Sequence, residues 1–114
     1  MTVKSKGFQQ GTKLFGESGN QFGEAIVVSV KDKPIDIIIA NSNHPFVERH
    51  QLNAVGVDWF DYDVTVVKCG YAFPELVKDG HITVMSLTEG ATLQDTARLP
   101  FKRIMRPMFP IDQI

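Results

Sequence analysis

The sequence has one cysteine, Cys69, so no internal disulfide can form and any fold must be held by its core. A lone thiol suits a reducing compartment, and a cytoplasmic location is expected. Long apolar runs are missing as well. The longest, such as Ala25 to Val28 and Ile37 to Ala40, fall far short of the roughly 20 residues of a spanning helix. Met1 to Lys6 has no apolar stretch behind it, so a signal peptide is not expected. Charge of one sign is also lacking: 12 basic residues face 13 acidic ones. Without a basic stripe to track phosphates, neither nucleic acid nor a membrane surface is expected as a partner.

The motifs of common chemistries are missing too. His44, His50 and His81 do not have the i, i+4 spacing of a helical zinc motif, and no HExxH follows. Ser42 lies near His44, but no nucleophile-elbow pattern surrounds it. Gly16-Glu17-Ser18-Gly19 has neither the preceding strand nor the GK[ST] ending of a phosphate loop. Asp58, Asp61 and Asp63 lack the glycine and distal glutamate of a calcium loop. No catalytic residue and no metal ligand is therefore assigned, and no cofactor is expected on this chain.

What remains reads as one ordinary domain, with 43% apolar and 22% charged residues over 114 positions. Residues 1–23 form a Gly-rich extended or loop segment, and residues 24–114 the domain proper. Within it, Ala25 to Val30 and Ile35 to Ala40 are β-branched runs around the turn Lys31 to Pro34, which predicts a hairpin. A helix is expected from about His44 to Val55, stopped by Gly56, and a second from Phe73 to Asp79, stopped by Gly80. Val64 to Val67 and Ile82 to Leu87 are strand-like. The alternation predicts an α/β fold: a mixed, largely parallel β-sheet with flanking short helices in βαβ units, plus an N-terminal β-hairpin and a proline-rich coil tail.

In such a sheet ligands bind beyond the carboxyl ends of the strands. The loops Asn41 to His44, Lys68 to Tyr71 and Thr88 to Gly90 would meet there. Ser42, Asn43, His44, Lys68, Tyr71 and Thr88 are thus the candidate ligand-binding residues. Each also has a plainer role: His44 as a helix-capping residue, Lys68 reaching solvent from a strand end, Tyr71 and Phe73 as core aromatics, Cys69 as a small buried hydrophobe. In the tail, Arg98, Lys102, Arg103 and Arg106 alternate with Phe101, Ile104, Met105, Met108 and Phe109, a pattern suited to packing along a neighbouring surface.

The segment Leu99-Pro100-Phe101-Lys102-Arg103-Ile104-Met105-Arg106-Pro107-Met108-Phe109-Pro110-Ile111-Asp112 resembles the terminal LPYRRVRRPLYPLD-type signature of the MlrC-like, microcystin-degrading peptidase family. Val66-Val67-Lys68-Cys69-Gly70-Tyr71 is similar to its VVKS segment, and Gly56-Val57-Asp58 to its GID helix end. Glu89 stands where a proline is usual, and the loop Asn41 to His44 lacks an arginine that members often carry. The resemblance implies a bacterial zinc-dependent hydrolase whose metal and catalytic residues lie in a larger N-terminal domain with no counterpart here. This chain would be its non-catalytic C-terminal part, contributing to a substrate cleft or to a domain or dimer interface. Its partner would be the catalytic domain or a copy of itself. The alternative is a stand-alone module that binds a small ligand or a protein through the three loops.

Overall fold

The computed structural model describes residues 1–87, 89 and 93–113. Two compact units divide the chain at Thr83 and Val84. The first is built on a three-stranded antiparallel sheet in the order β1-β2-β3, with β1 Thr2–Gln10, β2 Gln21–Ser29 and β3 Asp36–Ala40.

Strand β2 is central because its apolar residues serve both faces. Ala25 and Val27 point into the core, and Ile26 and Val28 point the other way. The β2–β3 turn closes through the Val30 N–H to the Ile35 carbonyl at 2.9 Å, with Asp32 at φ 60°, a conformation its short polar side chain tolerates. Between Val3 and Ser5 the β1 register slips by one residue, a β-bulge. Lys4 and Ser5 consequently both bond on the core side. Lys4 Nζ reaches Asp36 Oδ2 at 2.7 Å, and Ser5 Oγ donates to the Val55 carbonyl at 2.5 Å.

The chain then runs extended to Glu48 and forms α1, Arg49–Asn53. Two bonds stop this helix: Val57 N–H to the Leu52 carbonyl and Gly56 N–H to the Asn53 carbonyl, both 3.0 Å. They are the paired bonds of a Schellman stop, which needs a left-handed residue, and Gly56 supplies it at φ 81°. A single 3-10 turn, Trp59–Asp61, follows, capped by Asp58. Leu52, Val55, Val57 and Trp59 pack on Ala25 and Val27, with Ile38, Ala40, Phe46, Tyr62 and Leu76 against them. Each fully buried aliphatic side chain stabilises this core by about 1.5–3 kcal/mol. A second helix, α2 Pro74–Asp79, has Pro74 in its first turn and Gly80 as its cap.

In the second unit a 3-10 turn, Thr96–Arg98, is the one regular element among the described residues. Arg98 meets Glu89 at 3.0 Å. Asp112 binds Arg106 and accepts from Met108 N–H at 2.9 Å. The Arg106 guanidinium, followed by that N–H, holds the Asp112 carboxyl below the usual range.

The expected α/β fold is therefore incorrect. The sheet is small and antiparallel, and no βαβ unit occurs among the described residues. Residues 64–67 and 82–87 are not strands. Val64 is 77% exposed, Val66 91% and Ile82 87%. β-branched runs favour a strand only where a neighbouring strand and a covering layer receive them. A βαβ crossover needs at least about 10 residues with a buried helix face. Helix α2 has six residues and none buried. The expected first helix begins later, at Arg49, because the N–H groups of His44, Val47 and Glu48 bond to the side chains of Ser42 and Gln51 instead. Residues 2–10, read as part of a Gly-rich extended or loop segment, form a regular edge strand. Gly7 is there for close approach: a Cβ on it would lie 2.3 Å from the Ala54 carbonyl oxygen.

Candidate functional site

The loop after β3 crosses the ends of β1 and β2, and its polar side chains are drawn inward. Ser42 Oγ donates to Gln9 Oε1, while Gln9 Nε2 donates to the His44 carbonyl at 2.5 Å. Gln9 is wholly buried. The His44 ring stacks on Phe22, with centroids 3.8 Å apart and planes at 26°. Beside this lies a second buried amide, Gln51. Its Oε1 accepts from Val47 N–H at 2.9 Å and Glu48 N–H at 3.0 Å, and its Nε2 donates to the Gln10 carbonyl at 2.7 Å. The Glu48 carboxylate accepts from Lys13 N–H at 2.7 Å and Leu14 N–H at 3.1 Å, which ties the β1–β2 loop to the start of α1. His50 Nε2 lies 2.9 Å from the Gly11 carbonyl, and Nδ1 lies 3.2 Å from Glu48 Oε2. These groups close a seam; buried polar atoms must find such partners or destabilise the fold.

Two charge clusters flank the core. Asp36 accepts from Lys4, Ser29 Oγ at 2.6 Å and Tyr62. Lys4, ahead of Ser29 and Tyr62, holds the Asp36 carboxyl well below the usual range. In return the bond to Asp36, then that to Tyr62, raises Lys4 to about 12. The same carboxylate raises the Tyr62 phenol. Farther along, the Arg49 guanidinium grips Asp58, with Nε at 2.9 and 3.0 Å from its oxygens, and lies 4.6 Å from the Phe60 ring centroid. That bond lowers the Asp58 carboxyl and raises Arg49. Next to it is a shallow hollow of about 560 Å³, lined by Lys13, Arg49, Phe60, Pro74, Glu75, Lys78 and Asp79. Its charges are mixed, and Arg49 is already engaged by Asp58.

The residues expected to bind a ligand separate into groups. Ser42 and His44 share the buried seam, where the Ser42 hydroxyl serves Gln9 and not the imidazole. Asn43 beside them is exposed. Lys68 is exposed, and Tyr71 stacks on Phe73, with centroids 4.3 Å apart. Phe73 in turn meets Phe15 edge-on. Thr88 lies outside the described residues. Among the described residues, no hydrogen bond, ion pair or ring stacking joins Ser42, Asn43 or His44 to Lys68 or Tyr71. Gln9, Glu48 and Gln51, which organise the seam, were not legible as such. Glu48 at the start of a helix followed by Gln51 three residues on is a variant of the capping box, in which Gln51 Oε1 accepts from Glu48 N–H.

The residues present do not fit the zinc that the MlrC-like resemblance implies for the whole enzyme. No group of three or more His, Cys, Asp or Glu among the described residues could hold a metal ion. The His44 ring is stacked on Phe22, and both Glu48 oxygens are occupied by backbone donors. Among the described residues, no helix is long and apolar enough to cross a membrane.

A small antiparallel sheet bordered by a hydrogen-bonded polar seam is thus the framework of the described residues. The family model described as "MlrC C-terminus" matches residues 1–103, and the chain belongs to that family. No curated protein and no solved structure matches it.

Proposed function

We propose that the chain is the non-catalytic C-terminal part of an MlrC-like metal-dependent hydrolase, where it shapes the substrate cleft or an interface while another domain performs the chemistry. The family match over residues 1–103 carries this reading. The use of Ser42 and Glu48 in the seam supports it, because the Ser42 hydroxyl is given to Gln9 and both Glu48 oxygens accept from backbone N–H groups. The lone, half-buried Cys69 suits the cytoplasm as the compartment.

The test uses the purified chain. Its zinc content is measured by plasma mass spectrometry, and its hydrolysis of linear peptides by chromatography. Sub-stoichiometric zinc and no cleavage are expected. Stoichiometric zinc with peptide cleavage, both lost when His44 and His50 are replaced, would overturn the reading.

A further inference from the structure

An antiparallel sheet with one face on a core ordinarily shows polar residues on the other. This sheet does not. Opposite the core, the register aligns Val3 with Val28 and Ile37, and Lys6 with Ile26 and Ile39, while Phe8 pairs with Glu24. Val3, Phe8, Ile37 and Ile39 are each about half exposed. With strands about 4.8 Å apart and rising about 3.3 Å per residue, the face covers roughly 300–400 Å². That matches the largest apolar patch of a typical monomer, which is often functional.

We propose that this face is the interface between two copies of the chain, packed sheet to sheet. The occupant is argued from charge. The patch holds one cation, Lys6, and one anion, Glu24, on neighbouring strands and two residues apart along the register. Neither has an ion-pair partner among the described residues. A two-fold axis lying in the interface and passing between them sets Lys6 of each copy against Glu24 of the other. The same axis brings Ile26 onto its own equivalent and Ile39 close to it. A surface that meets its own copy through a two-fold must be self-complementary in this way. An unrelated partner would have to supply the matching anion, cation and apolar centre independently.

This inference goes beyond the accessory role and stands separately from it. A monomeric chain leaves that role intact, and a chain that binds zinc and cleaves peptides leaves the dimer intact.

The experiment is sedimentation equilibrium on the whole chain across a wide concentration range, with circular dichroism to check the fold. The expected result is a monomer–dimer equilibrium. Ile39→Lys should weaken it at least about tenfold, equivalent to about 1.4 kcal/mol. Lys6→Glu should weaken it and the double variant Lys6→Glu/Glu24→Lys should restore it. The charge variants sit on exposed positions, so they keep the test open even if Ile39→Lys fails to fold. A monomer at every concentration, a dimer indifferent to Ile39→Lys, a charge swap without rescue, or open-ended aggregation would each overturn the proposal.

Discussion

Replacing Gln51 by leucine keeps most of the side-chain volume and removes every hydrogen bond it makes. Gln51 is wholly buried and holds Val47 N–H, Glu48 N–H and the Gln10 carbonyl, with a longer contact of 3.4 Å to the Pro45 carbonyl. Three backbone groups would lose their partners in a dry environment, at about 1–3 kcal/mol each. Relaxation around α1 recovers part of this, so a loss of about 3–5 kcal/mol is expected. A domain's total stability is about 5–15 kcal/mol, and a substantial fraction would therefore disappear. Trp59, the only tryptophan and nearly buried, reports unfolding by its emission. With a urea slope of about 1.5 kcal/mol/M, the midpoint should fall by about 2–3 M. Gln51→Glu refines the argument. Its carboxylate would still accept from Val47 and Glu48 but would face the Gln10 carbonyl, where only a protonated carboxyl can donate. The folded-state pKa is then raised above the unfolded value of about 4.3. The variant should come closest to wild type below that pH and lose ground as pH rises through the folded-state value. A loss under about 1 kcal/mol for Gln51→Leu, or a flat pH difference for Gln51→Glu, would refute the claim that this amide joins β1 to α1.

Further outcomes follow from the same structure. Leu52→Ala, in the core beside Val27 and Val55, should cost about 2–5 kcal/mol in urea unfolding. Gly7→Ala should cost about 1–3 kcal/mol, because its methyl group would meet the Ala54 carbonyl; a neutral or stabilising result would mean α1 does not close on β1 there. Asp36 has its folded pKa depressed by Lys4, Ser29 and Tyr62, so its contribution is complete above the unfolded value of about 3.9 and fades as pH falls below it. The stability gap between wild type and Asp36→Asn, followed by thermal melts, should accordingly narrow below about pH 4.

Local chemistry alone identified several elements. The hairpin that closes between Val30 and Ile35 follows from two β-branched runs around a polar turn. The stop at Gly56 follows from the need for a left-handed residue, and α2 from its first-turn proline and terminal glycine. The family was legible as well, through the proline-punctuated basic and aromatic tail and the pieces before it; the match over residues 1–103 shows it independently. These features depend on neighbours in sequence, which is why they could be read there.

Only the tertiary structure decided which β-prone runs become strands. Residues 64–67 look more like a strand than residues 2–10 do, yet 2–10 find a ladder on β2 and 64–67 find none among the described residues. Pairing is a property of two segments and of the layer that covers them, and no single segment encodes it. The candidate site divided on the same ground. Ser42 and His44 came together because the chain passes over the end of β1, where Gln9 lies buried to receive them. Lys68 and Tyr71 were expected beside them only if a parallel sheet aligned its strand ends, and the antiparallel sheet has no such crest.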